Sequence, residues 1–337
     1  KTPFERFIMS IIPLLAINLA DERIGAKVLF ANDEFFAEKE NLLKSGRGVF
    51  IADKYTDHGK WMDGWETRRR RTPGNDLCVI ALAGRGTIHA VDIDTNHFLG
   101  NHPPFASIDG CCSTDSPDKS TQWSEVLPKS KLEPGKQNIF KIKNEELFTH
   151  LRLNIYPDGG IARLKVYGDL FVDLFVNWNE ENSNSLYDLV AIENGGKVIT
   201  CNDMFFSSKD NLIMPGRGKN MGDGWETKRK REPGNDWAIL KTGTSGNVKR
   251  IEVDTAHFKG NYPESCSIEG VYVSNFDNND YDKLKWKPLL PQSKLSADTQ
   301  HFFEKEVNEI GKINLIRLNI FPDGGISRLR LYGVKSE

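Results

Sequence analysis

The sequence has almost no net charge. Its 337 residues carry 45 basic and 47 acidic side chains, for a net charge of −2. A nucleic-acid-binding domain is normally strongly basic, so this balance excludes a dedicated nucleic-acid binder. The four consecutive arginines at Arg68–Arg71 are therefore a local feature. Low-complexity stretches are also missing from the sequence, which argues against long disordered segments.

Cysteine is scarce and shows no spacing pattern. The five cysteines stand at positions 78, 111, 112, 201 and 266, and no two of them form a CxxC pair. A disulfide framework needs an even set at regular spacings, so this odd set indicates a reducing compartment. We expect the cysteines to be buried apolar filler and the protein to be cytoplasmic.

Long apolar runs are missing as well. The most apolar segment, FIMSIIPLLAINLA at Phe7–Ala20, is interrupted by Pro13 and is too short to span a bilayer, so no membrane association is expected. Such a segment could be the core of a signal peptide. However, Leu19 and Ala20 already align with a second copy of the same sequence further along the chain, so we expect a mature intracellular chain.

Several enzyme signatures are absent from the sequence. It contains no GxSxG nucleophile motif, no P-loop and no glycine-rich dinucleotide motif. HExxH and HxH spacings are missing too, which gives no support for a metal site. Stretches with a 3.6-residue apolar period are scarce, and this argues against a helical fold.

What the sequence does contain is an internal duplication. DGWETRRRRTPGND at 63–76 recurs as DGWETKRKREPGND at 223–236, with eleven of fourteen positions identical. Four further motifs recur in the same order, which predicts two tandem repeats at 17–168 and 186–337 with a polar linker at 169–185. Repeat one carries roughly ten extra residues within VFIADKYTDHGK, just before its DGWET. The further motifs are NDEFFAEKENLLKSGRG at 32–48 and NDMFFSSKDNLIMPGRG at 202–218, DTNHFLGNHP at 94–103 and DTAHFKGNYP at 254–263, KSKL at 129–132 and QSKL at 292–295, and RLNIYPDGGIARLKVYG at 152–168 and RLNIFPDGGISRLRLYG at 317–333.

Short alternating segments separated by turns predict an all-β protein. CVIALA, IHAVDID and FASIDGC are strand candidates, and HLRLNIYPDGGIARLKVYG is typical of a hairpin about a Pro-Asp-Gly-Gly turn. Short strands with closely spaced turns are typical of a sandwich or a barrel. We therefore predict that each repeat is a jelly-roll β-sandwich of the galactose-binding-like type, with its site on the loops at one end.

The arginine run has a functional and a structural interpretation. If it were a strand, Glu66, Arg68 and Arg70 would face one side and Thr67, Arg69 and Arg71 the other. Positions 69 and 71 are arginine in both repeats, matched by Arg229 and Arg231, whereas positions 68 and 70 become lysine in repeat two. A kept arginine indicates bidentate binding of a carboxylate. The structural alternative is an internal salt bridge to a neighbouring aspartate.

The DTxHFxGNxP motif combines three groups that can do chemistry. It supplies a carboxylate (Asp94, Asp254), a histidine (His97, His257) and an amide (Asn101, Asn261). Repeat one adds two further histidines, at positions 58 and 102. Three histidines near one loop could bind a metal, but no ligand spacing supports one, so no metal is predicted. A histidine packed against Phe98 could instead be structural, and the aspartates at 158 and 323 could simply cap their turns.

These motifs together resemble the allantoicase family. The resemblance covers the chain from about Leu19 to Gly333 and implies two jelly-roll repeats that hydrolyse allantoate to ureidoglycolate and urea in purine and allantoin degradation. Breaking that C–N bond needs a ligand for the substrate carboxylate, a general acid, a general base and amide partners. The candidate catalytic residues are Glu66, Asp94, His97, Glu226, Asp254 and His257, and the candidate substrate-binding residues are Arg69, Asn101, Arg229 and Asn261. We expect the protein to need no cofactor and to form a homo-oligomer.

Two other functions fit the same residues. One is a non-catalytic tandem module that binds a small polar ligand or a carbohydrate, since a fold does not fix a function. The other is a metal-dependent hydrolase of a different small amide. Within either enzyme interpretation, we expect unequal sites, because only repeat one carries His102 and the Asp57–His58 insertion.

Overall fold

A computed structural model describes residues 11–13, 16–171, 186–274 and 280–336. Contacts divide the chain into two compact units, residues 1–171 and 172–337. Most of the predicted linker, residues 172–185, and much of the apolar segment at 7–20 lie outside the described residues. Within the described ranges, no helix combines the length and the apolar character needed to cross a membrane.

The described residues of the first unit form twelve strands joined by loops and short 3₁₀ helices. The 3₁₀ helices span Glu22–Ile24 and Lys39–Leu43. The strands are β1 Ile17–Asn18, β2 Lys27–Ala31, β3 Tyr55–Thr56, β4 Gly59–Lys60, β5 Trp65–Glu66, β6 Asp76–Asp94, β7 Phe105–Cys111, β8 Ser124–Lys131, β9 Gln137–Lys141, β10 Phe148–Tyr156, β11 Gly160–Ile161 and β12 Arg163–Leu170.

The long strand β6 belongs to both layers of a sandwich. Its first part, Asp76–Ala81, lies between β2 and β10, and its last part, up to Asp94, lies between β9 and β12. β7 and β8 extend the first layer, and β1 extends the second. The pairing with β10 skips from Ala81 to Gly86, so the strand passes from one layer to the other there. These pairings are all antiparallel, as the predicted jelly roll requires.

The core lies between the two layers. One buried apolar cluster contains Cys78, Ile80 and Leu82 from the first half of β6 and Val91 and Ile93 from its last part. The alternation along β6 places one face of each layer inside. Each fully buried aliphatic side chain contributes about 1.5–3 kcal/mol relative to exposure. The cluster also contains Trp65 of the DGWET motif, which ties that motif to the core.

The second unit repeats this plan. β16 pairs with β14 and β20 in its first part and with β19 and β22 in its last part. Its 3₁₀ helices span Ile192–Asn194, Lys209–Ile213, Met221–Asp223 and Tyr281–Lys283. The strands are β13 Tyr187–Asp188, β14 Lys197–Cys201, β15 Trp225–Glu226, β16 Asp236–Asp254, β17 Ser265–Val271, β18 Lys287–Lys294, β19 Gln300–Phe303, β20 Ile313–Phe321, β21 Gly325–Ile326 and β22 Arg328–Lys335.

Two local predictions are wrong. β10 and β12 do not form a hairpin about the Pro-Asp-Gly-Gly turn, because β6 lies between them. The residues after the turn, Gly160 and Ile161, pair instead with Glu66 and Trp65. The arginine run is not a strand either, since β5 ends at Glu66. Alternation predicted β10 and β12 correctly as strands but could not identify their pairing partners.

The extra residues of repeat one form a small hairpin, which we call the insertion hairpin (residues 49–62). Its strands β3 and β4 pair Tyr55 with Lys60 and Thr56 with Gly59. It carries several exposed apolar side chains, among them Phe50 and Tyr55 at 53% and 68% exposure. Repeat two has only residues 219–222 at the corresponding place. The two repeats therefore differ at one edge of an otherwise shared scaffold.

The five cysteines are all unpaired by disulfides. Cys78, Cys111 and Cys266 are buried, as expected for apolar filler, and burial raises the pKa of the Cys266 thiol to about 12. Cys201 is half-buried and Cys112 is exposed. The filler interpretation is therefore wrong for Cys112, which follows the end of β7.

Candidate functional site

A carboxylate–amide pair lies at the same place in both repeats. In repeat one, Asn101 Nδ2 donates to Glu66 Oε1 at 2.6 Å. In repeat two, Asn261 Nδ2 donates to Glu226 Oε1. The sequence named all four residues as candidates but gave no reason to pair them, because each pair is 35 residues apart in the chain.

Three motif loops meet to hold this pair. Glu66 is the last residue of β5, which pairs with Gly160 of the Pro-Asp-Gly-Gly motif. Gly160 N donates in turn to Asn101 O at 2.8 Å. The Phe98 ring fills the space beside Gly160, where an added Cβ would stand 2.0 Å from a ring carbon. Glycine is required at this position because the ring and the backbone are in direct contact. Phe258 and Gly325 repeat the arrangement, also at 2.0 Å.

Burial shifts the protonation of the first carboxyl. Desolvation raises the pKa of Glu66, and the hydrogen bond from Asn101 opposes the shift. Burial disfavours the charged form of a carboxyl, so the protonated form persists to higher pH. Since Asn101 donates to Oε1, Oε2 is the oxygen that can carry the proton. A carboxyl tuned in this way suits general acid catalysis.

Repeat one has a pocket of about 420 Å³ at this pair. It brings Glu66, His97 and Asn101 to one cavity together with residues of the insertion hairpin. The exposed His97 ring lies 5.6 Å from the ring of Phe50. Asp94 and Arg69 do not line this pocket. The lining residues are Phe36, His58, Gly59, Lys60, Met62, Glu66, His97, Leu99, Gly100 and Asn101.

Repeat two has a pocket of about 670 Å³ at the corresponding pair. It contains Glu226, Asn261 and Arg229, but not His257 or Asp254. Four lining positions correspond to those of repeat one, and the others come from different elements. The lining residues are Phe206, Glu226, Thr227, Arg229, Gly260, Asn261, Tyr262, Glu264, Lys294, Leu295, Pro322, Asp323 and Gly324.

The two aspartates of the DTxHF motif lie elsewhere. Asp94 is completely buried and accepts two hydrogen bonds from Arg47, at 2.7 and 2.8 Å. Asp254 is equally buried and accepts the same pair from Arg217, at 2.8 and 3.1 Å. Bidentate geometry makes these strong contacts. Both carboxylates therefore fix the loop that carries the histidine. The GRG motif contained the two arginines, and sequence reasoning missed them.

The arginine run divides between the two interpretations. Arg68 pairs with Asp33 at 2.7 Å, and Arg70 pairs with Asp76 at 2.6 Å. Their lysine counterparts make the same kind of pair, Lys228 with Asp203 at 3.6 Å and Lys230 with Asp236 at 2.8 Å. Salt bridges therefore form at positions 68 and 70, whereas the salt-bridge alternative concerns the arginines that both repeats keep.

The arginines kept at position 69 behave differently. Arg69 and Arg229 are exposed, and across the described ranges neither makes a hydrogen bond or an ion pair. The backbone beside them is held by the turn aspartates, since Asp158 accepts from Arg70 N at 2.8 Å and Asp323 accepts from Lys230 N at 2.8 Å. These aspartates therefore hold the backbone of the arginine loop.

The two histidines are not equivalent. His97 and His257 both have left-handed backbone, with φ of 68° and 71°. The His257 ring lies 2.8 Å from Gly218 O through Nε2, so that ring is tied to the loop. His97 has no hydrogen-bond partner for its ring among the described residues. His97 lines the first pocket with Glu66 and Asn101, whereas His257 does not line the second pocket with Glu226 and Asn261.

Residues outside the prediction complete both pockets. Lys60 enters the first pocket from the insertion hairpin, and Lys294 and Tyr262 enter the second. The QSKL motif that contains Lys294 recurs as KSKL at 129–132, which was the one available signal. His58 stacks on Phe35 with ring centres 4.1 Å apart. In the part of the chain that the structure describes, no three His, Cys, Asp or Glu side chains form a group able to hold a metal ion.

Comparison with known proteins agrees with the duplication. The sequence profile of the Allantoicase repeat matches residues 17–171 and again 187–336. The chain is 50% identical over 324 residues to "Probable allantoicase" of Photobacterium profundum, covering 95% of this chain and 97% of that protein. It is 50% identical over 320 residues to "Probable allantoicase 1" of Burkholderia mallei, covering 94% of each. The crystal structure of allantoicase from Saccharomyces cerevisiae superposes with a TM-score of 0.82 at 34% identity, covering 99% of this chain and 98% of that chain.

Proposed function

The chain belongs to the allantoicase family, and on that premise we propose that it hydrolyses allantoate to ureidoglycolate and urea. The carboxylate–amide pair at the convergence of three motif loops carries the proposal. Both repeats build this pair with the same residue types and the same hydrogen bond, and in both it lines a pocket. We place the hydrolytic site in repeat one, where this pair shares a pocket with His97.

The substrate sets the requirements. Allantoate carries one carboxylate and two ureido groups on a single carbon. Urea leaves when the bond from that carbon to one ureido nitrogen breaks and the nitrogen takes a proton. The second ureido nitrogen shares its lone pair with the cationic carbon. Water then adds its oxygen to the carbon and gives a proton to a base, which yields ureidoglycolate.

Glu66 is assigned as the general acid. Burial raises its pKa and keeps a proton available on Oε2, while Asn101 fixes the carboxyl through Oε1. His97 is assigned as the base for water, because its ring lines the same pocket and imidazole accepts protons near neutral pH. Asn101 also has an amide oxygen that can accept from a ureido N–H group.

The substrate carboxylate is assigned to the kept arginines. Arg229 lines the second pocket together with Glu226 and Asn261, and its guanidinium can bind a carboxylate through two parallel hydrogen bonds. Arg69 is its counterpart in repeat one and lies outside the lining of the first pocket, where Lys60 supplies a cation. Asp94 and Asp254 are assigned as positioning residues, because Arg47 and Arg217 occupy their oxygens.

Repeat two is assigned a supporting role. Its pocket keeps Glu226, Asn261 and Arg229 but lacks the histidine. Such a site has an arginine for the substrate carboxylate and an amide for a ureido group, but it has no base for water. It therefore binds allantoate without hydrolysing it quickly. The catalytic roles expected for Glu226 and His257 are therefore proposed to be weaker than those of Glu66 and His97.

One assay separates this function from its rivals. The purified protein is incubated with allantoate, and urea and ureidoglycolate are measured with and without a chelator. Equal release of both products in either condition supports the proposal. Activity that disappears with chelator and returns with a divalent metal favours a metal-dependent hydrolase. No release, together with binding of simple sugars, favours the carbohydrate module. A cytoplasmic location and a homo-oligomeric state stay predictions.

A further inference from the structure

The two repeats satisfy the same backbone carbonyl with different side chains. In repeat one, Asn96 Nδ2 donates to Gly48 O at 2.8 Å. In repeat two the residue at the position of Asn96 is Ala256, which has no donor, and His257 Nε2 lies 2.8 Å from Gly218 O. Gly48 and Gly218 are the last residues of the two GRG motifs, so they are the same position in each repeat.

The acceptor fixes the tautomer of the second histidine. A carbonyl oxygen can only accept, so His257 must carry a proton on Nε2. The hydrogen bond therefore holds the His257 ring against the loop that contains Gly218. His97 has the same left-handed backbone, and its own carbonyl neighbour is already satisfied by Asn96. The two rings therefore differ in hydrogen bonding because their neighbouring side chains differ, and not because of their backbone conformation.

We propose that Asn96 is a positioning residue that keeps the His97 ring available to the pocket by occupying Gly48 O. Without it, Gly48 O loses its side-chain donor, and a buried acceptor left without a donor is unfavourable. The His97 ring would then take the place of the amide, as His257 does in repeat two. The proposal rests on the proposed function for its effect on catalysis, but its structural content is independent of the substrate.

A second difference between the loops needs a control. His257 N donates to Asp298 Oδ1 at 2.6 Å, whereas repeat one has Gly135 at that position. If Asp298 rather than Ala256 determines the ring position, then Asp298→Gly releases His257 and Ala256→Asn does not. The two substitutions are matched, because each introduces the residue that repeat one already has.

The test reads the histidine tautomers directly. Ring ¹⁵N spectra are recorded on the full chain, with His97→Gln and His257→Gln used for assignment. In the wild type, His257 should show a single Nε2–H tautomer and His97 an average of both. Asn96→Ala should change the His97 signals to the fixed Nε2–H pattern, and Ala256→Asn should change those of His257 to the averaged pattern.

Activity gives the second reading. Asn96→Ala should lower kcat for allantoate at least tenfold with little change in KM, because the base is lost and the pocket cations are not. A purely structural role for Asn96 would lower Tm and leave the His97 signals unchanged, and that result overturns the proposal. If Asn96→Ala does not fold, Ala256→Asn decides alone, and unchanged His257 signals there overturn it. If allantoate is not hydrolysed, the spectra still give the answer, so the two failures are distinguishable.

Discussion

The two repeats have the same scaffold and different pockets. Both place a glutamate at the end of a two-residue strand and bond it to an asparagine 35 residues later. They differ in what surrounds that pair, since repeat one adds the insertion hairpin and a ring at His97, and repeat two adds Arg229 and Lys294. The comparison teaches that the duplicated core preserves a geometry, while loops and single neighbours decide which chemistry uses it.

Removing the carboxyl proton should give the largest difference between the repeats. Glu66→Gln keeps the shape and the hydrogen bond from Asn101, but it cannot transfer a proton. We expect kcat/KM for allantoate to fall by about 10²–10⁴-fold, the usual range for loss of general acid catalysis. Glu226→Gln should cost less than tenfold. Equal losses from the two substitutions in a urea-release assay would mean that both repeats hydrolyse.

The pH profile sharpens the same comparison. Because burial raises the pKa of Glu66, the acid form persists to higher pH than for an exposed glutamate. Activity should fall as the pH rises through that raised pKa. Glu66→Gln should remove this limb from the profile of residual activity, and Glu226→Gln should leave it unchanged.

The next largest difference is expected between the effects of replacing His97 and His257. His97→Asn removes the proposed base and should lower kcat by about 10²-fold or more, with little change in Tm. His257→Asn removes the hydrogen bond to Gly218 O and should cost about 1 kcal/mol of stability with a smaller loss of activity. Kinetics and thermal denaturation of the two variants provide the check. A larger activity loss for His257→Asn would reverse the assignment of the repeats.

Replacing the insertion hairpin by the shorter loop of repeat two should remove the part of the first pocket that the hairpin lines. Residues 49–62 of repeat one can be replaced by residues 219–222 of repeat two, because both loops are anchored by the same ion pairs, Arg163 with Asp63 and Arg328 with Asp223. We expect a 10- to 100-fold loss of kcat/KM, roughly 1.4–2.7 kcal/mol of barrier, with folding retained. Lys60→Met tests the pocket cation alone, with Lys54→Met on the same hairpin as the control. Full activity of the exchanged chain excludes the hairpin from the site.

Replacing the planar guanidinium of Arg69 or Arg229 by the ammonium group of lysine tests carboxylate binding. Arg69→Lys should raise KM and lower kcat/KM by ~1.5–3 kcal/mol, the range for a hydrogen bond to a charged group. Arg229→Lys should lower kcat/KM less than tenfold, because repeat two only supports hydrolysis. Arg70→Lys is the control, since repeat two already has Lys230 there. If both variants keep full activity and full Tm, neither arginine binds the carboxylate. Loss of Tm without loss of activity would favour a structural role.

The smallest effect concerns a buried acid that differs between the repeats. Asp92 is fully buried, and one of its oxygens has no hydrogen-bond partner among the described residues. Burial raises its pKa from 3.8 to about 6. At the corresponding position Glu252 has both oxygens bonded, to Gln300 at 2.8 Å and to Tyr332 at 3.3 Å.

The sign of the effect follows from the raised pKa. The folded state holds the Asp92 proton more tightly than the unfolded state, so this stability is present below pH 3.8 and is lost as the pH rises through about 6. Asp92→Asn should therefore increase the free energy of unfolding at pH 8 by about 1–3 kcal/mol and change it little at pH 4. Denaturant titrations at both pH values, with Glu252→Gln as the matched control, measure the difference. A variant that is less stable at pH 8 would contradict the expected direction.

Much of the site could be named from the sequence but not assembled. Duplication marked Glu66, Asn101, His97 and Arg69, because the same residue types recur in the same order. Their arrangement depended on contacts between distant segments, such as Gly160 N with Asn101 O. The Arg47 partner of Asp94 was missed for the same reason, since nothing local in GRG indicates an acceptor 47 residues away.

The sequence by itself determined the β-rich class, the duplication and the family, because residue type, period and motif order are properties of the chain alone. Only the tertiary structure decided which strands pair and what each polar group binds. β10 and β12 alternate as a hairpin would, yet β6 lies between them. His97 and His257 share a motif and a backbone conformation, yet only His257 lies against Gly218 O. A side chain's role is set by the donors and acceptors around it, and folding brings these from distant parts of the sequence.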